Sequence, residues 1–454
     1  MSLSVLIAVF SWLALLLFLF TRFPARRAAL GGFLAGWMFL PTVTYPIAGW
    51  PDYTKTLAVA VGVVLAIVIF DLRGLLTVRP TWADIPILLF CLSPFLSSIY
   101  GGLGVHDGLS VVFQQAITWA IPYFFGVLYF KSLAGLRELA MGIFAGGLIY
   151  VPLCIFEMVA APKLHLWIYG STLGDLSRSA MRFGGWRPTV FMNSGLMVAV
   201  WMAAASVLGI WLCAAGLLPS IGAIRWTWLA ALLVLTTVAL RSVNGWLLLL
   251  LGTILLASSS RWRTAAPVYS AIALVLSYIL VSATGIWSRE EIVPAAAAIL
   301  NRDRAESLHF RFLNERVISG NAREHPVLGW GRTAAAIVDR DHLVFPNADA
   351  KTSYAVVDSL WISTFATFGA VGLVGLFGTL LLPVTLFLWR FPAAEWKQTA
   401  IAPAVGLAIV LLLYSIDNLA NGFINPVFML GAGGLAHCVP DRKAPKQLIS
   451  AGMR

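Results

Sequence analysis

Apolar residues run along most of this chain in stretches long enough to cross a lipid bilayer. A transmembrane helix needs about 20 consecutive, mainly apolar residues. Because backbone polar groups in lipid must bond within their own segment, such stretches are predicted to be helices. We count thirteen candidate spans, at 2–21, 28–48, 56–71, 84–100, 110–130, 138–160, 190–215, 226–240, 244–259, 265–285, 357–389, 399–416 and 421–438.

The polar connections between these runs fall into two alternating sets that differ in positive charge. The short connections of one set contain only Lys55 and Arg241 as basic residues. The other set is basic and is therefore predicted to be cytoplasmic, which puts the N-terminus outside and the C-terminus inside. Its basic residues are Arg22, Arg26, Arg27, Arg73, Arg79, Lys131, Arg137, Arg225, Arg261, Arg263, Arg390, Lys397, Arg442, Lys443, Lys446 and Arg454.

Two long polar segments lie on the predicted outer side, at about 161–189 and 286–356, and the second holds nine basic and nine acidic residues. Long loops translocate largely regardless of charge, so they agree with the charge bias. The predicted fold is an all-α polytopic membrane bundle of twelve or thirteen transmembrane helices, with one long extracytoplasmic loop that contains short helices. Its parts are N-terminal membrane helices (1–285), the long loop (286–356), and C-terminal helices with a short tail (357–454).

Composition supports a membrane protein. The 454 residues are 60% hydrophobic and only 11% charged, whereas soluble domains are about 25% charged. The formal net charge of +11 fits basic cytoplasmic loops and an anionic ligand better than a nucleic acid. The run 2–21 lacks a basic leading region and a small-residue cleavage site, so we interpret it as a retained span.

The four cysteines suggest neither disulfides nor a metal site. They show no short spacing, and all lie in or at the end of apolar stretches, where cysteine acts as a small apolar residue. We therefore expect no metal and no cofactor. The cysteines are Cys91, Cys154, Cys213 and Cys438.

Two arginines stand at predicted outer boundaries of membrane helices. Arg187 follows a Gly-Gly-Trp turn, and Arg241 lies in a tight turn between two apolar runs, beside Ser242 and Asn244. A guanidinium fits phosphate oxygens in a planar fork, so both are candidate diphosphate ligands. The alternative is that each arginine extends to the lipid headgroups without a further role. A lone arginine at membrane depth is by default a functional hypothesis.

The long outer loop holds further candidates. Apolar residues recur at three and four positions between 305 and 322, which predicts a helix that carries Arg311; this residue could also pair with Glu315 one turn later. After the helix come His325 and two glycines that would let the loop approach a ligand closely. Arg332 follows directly as a reserve phosphate ligand.

Asp358 opens the long C-terminal run 357–389. It can cap the following helix, or it can act as a base at the membrane surface, where desolvation raises a carboxyl pKa. The run is too long for one straight span, which suggests an interfacial turn, and its Gly369–Gly372 centre permits close helix packing.

Two stretches together resemble the O-antigen ligase and polymerase family. The segment 325–331, His-Pro-Val-Leu-Gly-Trp-Gly, resembles the family's His-Pro-Leu-Leu-Gly-x-Gly signature, and Arg311 falls where the family carries an arginine. The segment 358–375 looks like the family's His-x-x-Leu helix followed by Gly-Leu-Ile-Gly-Leu, but Asp358 replaces the histidine. Arg241-Ser242 with Gly245 is similar to the family's Ser-Arg-Gly turn in changed order. The departure at Asp358 suggests a divergent branch that serves exopolysaccharide.

The resemblance implies an integral glycosyltransferase of the bacterial inner membrane that needs neither a nucleotide sugar nor a catalytic metal. The implied donor is a glycan on undecaprenyl diphosphate, and the implied acceptor is a sugar hydroxyl on another lipid-linked glycan or on a lipid A core. In this scheme four arginines bind the diphosphate, and Asp358, with His325 as substitute, takes the acceptor proton. The arginines are Arg187, Arg241, Arg311 and Arg332.

Two other classes of function stay open. A transporter or flippase for an anionic lipid-linked glycan would also have about a dozen spans, but it should carry charges near the bilayer midplane and two related halves with broken helices. A non-catalytic subunit of a polysaccharide assembly complex would keep the fold and tolerate the loss of Arg241.

Overall fold

The computed structural model describes residues 3–47, 50–171, 181–218, 220–221, 224–286, 312, 315–331 and 359–440, with side chains left out at 46–51 and 219–225. Within these ranges the chain is a bundle of membrane-sized helices. Each of the thirteen predicted apolar runs contains a helix, which confirms the all-α membrane fold. In the described part of the chain, eight helices are long and apolar enough to cross a membrane, and three further apolar helices are shorter.

The described helices are numbered in chain order. They are α1 (Leu3–Arg22), α2 (Ala25–Phe39), α3 (Lys55–Phe70), α4 (Leu72–Leu75), α5 (Ile85–Tyr100), α6 (Val105–Gln115), α7 (Ile121–Tyr129), α8 (Leu133–Ala160), α9 (Leu164–Tyr169), α10 (Gly195–Ala214), α11 (Trp226–Ala239), α12 (Val243–Trp262), α13 (Ala266–Thr284), α14 (Leu360–Arg390), α15 (Ala402–Asp417) and α16 (Pro426–His437). A π-helical turn, Ala116–Ala120, joins α6 to α7, and 3₁₀ turns cover Trp82–Asp84 and Ala393–Glu395. Residues 315–322 are also helical.

Strands occur in the described chain only as three short antiparallel hairpins in the connections. They pair β1 (Thr44–Ile47) with β2 (Trp50–Thr54), β3 (Met181–Arg182) with β4 (Gly185–Trp186), and β5 (Ser220–Ile221) with β6 (Ile224–Arg225). They order the connections between helices and form no larger sheet among the described residues.

The core of the bundle is formed by α10, α15 and α16, whose residues are buried on nearly all sides. The helices α11 and α13 lie at the periphery and leave large apolar side chains exposed, such as Leu235 and Leu274 at 66% and 70%. Such exposure would be costly in water and is ordinary where lipid covers the surface.

Successive helices run between two ends of the bundle. One end, which we call the loop end, carries the described connecting residues 40–47, 50–54, 101–104, 161–171, 181–194, 240–242 and 418–425. The basic connections meet at the opposite end, where Arg26 contacts Glu138 at 2.9 Å and His437 contacts Asp84 at 2.8 Å. The separation of basic residues agrees with the predicted orientation, and the placement of the loop end outside the cytoplasm stays a prediction.

The long C-terminal helix α14 is broken near its first third. Gly369 has φ 64° and ψ −160°, far from helical values, and the helix then continues to Arg390. The predicted turn within the run 357–389 is therefore present, at a glycine that tolerates positive φ. The N-cap position of α14 is Ser359, whose successor Leu360 donates its backbone N–H to the carbonyls of Asn418 and Asn421.

Candidate functional site

Arg241 is held against a hairpin at the loop end. The residue lies in the turn between α11 and α12 and has φ 56°. Its Nη1 donates to the carbonyls of Phe183 (3.1 Å) and Arg182 (3.4 Å). A Cβ on Gly185 would lie 1.6 Å from that nitrogen, so a larger residue would displace the guanidinium from this position. The β3–β4 hairpin is further held by its tip, where Phe183 stacks on Trp246 of α12 at 5.6 Å.

Arg187 lies directly after this hairpin and reaches the same turn. Its aliphatic stem crosses the start of α10, where a Cβ on Gly195 would lie 2.7–2.9 Å from the side chain. Its Nη2 donates to Oγ of Ser242 at 3.4 Å. Because Ser242 follows Arg241 in the chain, Arg187 bonds the turn that carries Arg241, and Arg241 in turn bonds the hairpin that precedes Arg187. The structure thus brings together two of the predicted diphosphate ligands.

The backbone after Arg187 is fixed by a buried carboxylate from α8. Glu157 is fully buried, and its Oε2 accepts the N–H groups of Thr189 (2.9 Å) and Val190 (2.7 Å). Its Oε1 accepts the N–H of Leu164 at 2.9 Å, which ties down the start of α9 as well. A carboxylate buried without partners is costly, and these three donors offset that cost. Glu157 therefore sets the path of the chain that presents Arg187.

A second buried carboxylate joins α12 to the turn after α15. Oδ1 of Asp417 accepts from the side-chain amides of Asn244 (2.7 Å) and Asn421 (2.6 Å). Together with the bonds from Leu360 to residues 418 and 421, this cluster fixes the first turn of α14 beside the start of α12. This carboxylate–amide cluster was not predicted from the sequence, although the polar residues within 417–422, between two apolar runs, indicate a polar contact there.

The segment 325–331 fills the break in α14. Gly331 and Trp330 donate their N–H groups to the carbonyls of Thr367 (2.9 Å) and Ala366 (3.0 Å), and Ala370 donates to the carbonyl of Pro326 at 2.8 Å. Oγ of Ser97, on α5, lies 2.5 Å from the carbonyl oxygen of Leu328 and 2.6 Å from that of Thr367.

Three glycines make this close packing possible. Gly329, Gly331 and Gly369 all have positive φ, between 64° and 68°. A Cβ on Gly329 would lie 2.6 Å from backbone atoms of residues 367 and 369, and a Cβ on Gly331 would lie 2.7 Å from the carbonyl oxygen of Ser97. Gly329 and Gly331 both lie against the chain's own backbone. Their predicted approach to a ligand stays a prediction.

His325 stands at the start of this segment. Its ring packs edge-on against Trp330 (4.1 Å between ring centres) and Tyr100 (5.6 Å). Its Nδ1 is buried and has no hydrogen-bond partner in the described part of the chain. Neither ring contact involves Arg187 or Arg241, so the role of His325 as a substitute base stays a prediction.

The other predicted site residues, Arg311, Arg332 and Asp358, lie outside the described residues. Their chain neighbours are placed: Gly331 in the break of α14, and Ser359 at its N-cap. Among the described residues, no group of three or more His, Cys, Asp or Glu side chains could hold a metal ion.

One third of the chain matches a known protein family. The family model described as O-antigen ligase matches residues 228–377, which include Arg241, His325 and the broken start of α14. This match confirms the resemblance to the O-antigen ligase family, and at family level it indicates a membrane glycosyltransferase. A search of curated proteins gives no match to the chain.

Proposed function

We propose that this protein transfers or polymerises glycan from undecaprenyl diphosphate onto a sugar hydroxyl, at the outer face of the bacterial inner membrane, in O-antigen or exopolysaccharide biosynthesis. The observation that carries the proposal is the arginine pair: Arg187 bonds Ser242, the residue after Arg241, and Arg241 bonds the hairpin that precedes Arg187. Both lie at the end of the bundle that lacks the basic connections. The O-antigen ligase match over residues 228–377 supports the same class of reaction.

The proposed glycan transfer requires cations beside the leaving diphosphate. The acceptor oxygen attacks the anomeric carbon, the bond between that carbon and the phosphate oxygen breaks, and the electron pair stays on the diphosphate. Fixed cations stabilise this developing charge more strongly where water is excluded. Arg187 and Arg241 would hold the two phosphates, and a guanidinium can offer paired N–H donors to each. Arg311 and Arg332 are proposed as further ligands.

The acceptor hydroxyl must lose its proton as the new bond forms. Asp358 precedes α14, whose first turn is fixed against the turn at 418–421. We propose Asp358 as the base that takes this proton, with His325 as substitute. A single displacement of this kind inverts the configuration at the anomeric carbon. The polyprenyl tail of the donor would lie along the apolar surface of the bundle, where lipid-facing side chains abound.

The experiment compares arginine variants in the native bacterium after deletion of its own gene. Arg241→Ala and Arg187→Ala are expected to stop formation of long polysaccharide and to cause accumulation of the lipid-linked glycan, because the leaving diphosphate loses a cation. Gel profiles of polysaccharide and mass spectrometry of extracted lipid-linked glycan measure both effects. The matched control is Arg137→Ala, which removes an exposed guanidinium at the opposite end. Full polymer in both single variants would remove the pair from the mechanism.

One observation favours the alternative of a transporter. Transporter sites are often built on discontinuous helices, and α14 is discontinuous at Gly369. In this chain, however, the segment 325–331 occupies the break. The two functions differ in where the lipid-linked glycan accumulates. Loss of a glycosyltransferase leaves it in the outer leaflet, accessible to an added periplasmic glycosidase, whereas loss of a flippase leaves it protected in the inner leaflet.

The third alternative is a non-catalytic subunit of a polysaccharide assembly complex. Such a protein would be needed for polymer, but its purified form would transfer no glycan. Reconstitution of the purified protein with lipid-linked glycan extracted from the deletion strain decides this point. Glycan transfer that depends on Arg241 supports the enzyme, and transfer that requires another protein supports the subunit.

A further inference from the structure

We propose that a polar cavity at the loop end binds a sugar residue that carries an anionic group. The ligand class of this inference rests on the proposed function, because the acceptor sugar has to be bound while the glycan is transferred to it. The cavity has a volume of about 530 Å³ and is partly open to the surface. Sites for small ligands typically enclose about 300–1,000 Å³. None of its lining residues belongs to the arginine pair or to the segment 325–331.

The cavity lies where four parts of the fold meet. Its walls come from the β1–β2 hairpin with the start of α3, from α6 with the π-helical turn that follows, from Asn193 before α10, and from Ile424 before α16. Ile117 and Thr118 of the π-helical turn both line it. π-helical turns are rare and frequently lie at functional sites, so their presence in the wall is a second sign of a binding site.

Lys55 gives the cavity its positive charge. It is the first residue of α3 and lines both this cavity and a small apolar void beside it. Its Nζ donates to the carbonyl of Trp37 across a long 3.5 Å. An ammonium group has three donors, and among the described residues no carboxylate lies within 4.0 Å of this one. A cation without a carboxylate in ion-pair contact favours an anionic ligand.

The rest of the lining suits sugar hydroxyl groups. Oγ1 of Thr42 donates to Oδ1 of Asn193 at 2.7 Å, which leaves the amide NH₂ of Asn193 as a donor. Gln114 and Thr118 add an amide and a hydroxyl, and the exposed Asp52 adds an acceptor at the mouth. These groups both donate and accept, as sugar hydroxyls do. Apolar side chains between them, from Val43, Leu57, Ile117 and Ile424, can cover the C–H face of a sugar ring.

The balance of charges separates a sugar from a lipid headgroup. Among the described residues of the lining, Lys55 is the one basic residue, and the carboxylate of Asp52 faces the same cavity. A site for a bare phosphate would gain more from several cations. One cation among many neutral donors and acceptors instead matches an acidic sugar, whose single charge is surrounded by hydroxyl groups.

The test measures binding directly, so it does not depend on glycan transfer. The full-length protein is placed in phosphatidylcholine nanodiscs and titrated calorimetrically with a glucuronate-containing tetrasaccharide, a neutral glucose tetrasaccharide of equal length, and inorganic phosphate. We expect the acidic tetrasaccharide to bind at least tenfold more tightly than the neutral one, which corresponds to about 1.4 kcal/mol. Lys55→Gln should remove this preference.

Control variants separate this proposal from the proposed function. Lys163→Gln removes an exposed lysine at the same end of the bundle and should bind like the wild type. Arg241→Ala should also keep its binding, even where it makes no polymer. Gln114→Ala changes an exposed residue of the wall and should weaken binding several-fold, which covers the case in which Lys55→Gln does not fold.

Three results would overturn the proposal. The first is equal binding of the acidic and neutral tetrasaccharides. The second is an unchanged preference for the acidic tetrasaccharide in folded Lys55→Gln, together with wild-type binding in Gln114→Ala. The third is binding of inorganic phosphate but of neither tetrasaccharide. Wild-type polymer in Arg241→Ala would count against the proposed mechanism and would leave the result for the cavity unaffected.

Discussion

The substitution Gly329→Ala tests whether the segment 325–331 is locked into the break of α14. Gly329 has φ 68°, and a Cβ there would lie 2.6 Å from backbone atoms of Thr367 and Gly369. A left-handed conformation costs an L-residue about 1–2 kcal/mol. Overpacking adds about 1–3 kcal/mol, and backbone atoms cannot move aside as a flexible side chain can. The substitution should therefore destabilise the docked segment by about 2–5 kcal/mol.

The loss should appear first in hydrogen exchange of the amides that join the two segments. Gly331 and Val371 donate across this junction at 2.9 and 3.1 Å. A loss of about 3 kcal/mol in local stability speeds their exchange roughly a hundredfold, since about 1.4 kcal/mol corresponds to tenfold. Exchange monitored by mass spectrometry on peptides covering 326–331 and 366–371 measures the change, while peptides from α10 should exchange as in the wild type.

The matched control is Gly320→Ala in the preceding helical residues. A Cβ at Gly320 would meet nothing closer than an arginine nitrogen at 3.8 Å, and alanine favours a helix, so exchange at the junction should not rise. If Gly329→Ala exchanged at the wild-type rate, the segment would be able to shift without cost, and the argument from close backbone packing would be wrong.

Three further predictions concern Glu157, His165 and Asp358. Glu157→Gln should lower thermal stability and polymer formation, because an amide cannot accept from all three N–H donors and an unpaired buried donor costs about 1–3 kcal/mol; a wild-type melting temperature would contradict this. Burial lowers the pKa of His165 below its ordinary value of 6.5, so the unfolded chain binds more protons and stability should fall as the pH drops below about 6.5, less so in His165→Phe. Equal pH profiles would refute it. Asp358→Asn should abolish glycan transfer at an unchanged melting temperature, and retained transfer would reject Asp358 as the base.

The helices of this protein could be predicted from the sequence because each one is stabilised by interactions within its own stretch of chain. In lipid every backbone donor and acceptor of a span is satisfied within that span, so an apolar run identifies its helix without knowledge of its neighbours. All thirteen predicted runs contain a helix, including the short α2 and α16. The prolines within the runs did not prevent this, since Pro94 and Pro152 lie inside α5 and α8.

The contacts that build the candidate site could not be predicted because they join distant parts of the chain. The amide of Asn244 and the carboxylate of Asp417 are 173 residues apart, and Arg187 is 55 residues from Ser242. Both arginines could be predicted from their position at span ends, but not the contacts by which Arg187 bonds Ser242 and Arg241 bonds the hairpin. It also could not foresee that the segment 325–331 fills the break in α14, since positive φ at its glycines fits a ligand and a packed backbone equally well.

The two basic residues that break the charge bias carry the strongest functional argument. Lys55 and Arg241 are the only basic residues in the short connections predicted to lie outside. Arginine or lysine at such a place works against the predicted orientation and therefore needs a local reason to persist. Arg241 has one, since its guanidinium lies over Gly185 and donates to the carbonyls of Arg182 and Phe183. Lys55 lines the polar cavity without a carboxylate partner among the described residues. If each holds an anionic part of the substrates, the diphosphate at Arg241 and an acidic sugar at Lys55, both exceptions follow from one reaction. Replacing both by glutamine should then remove polymer formation while leaving the orientation of the helices unchanged, as scored by cysteine labelling from each side of the membrane.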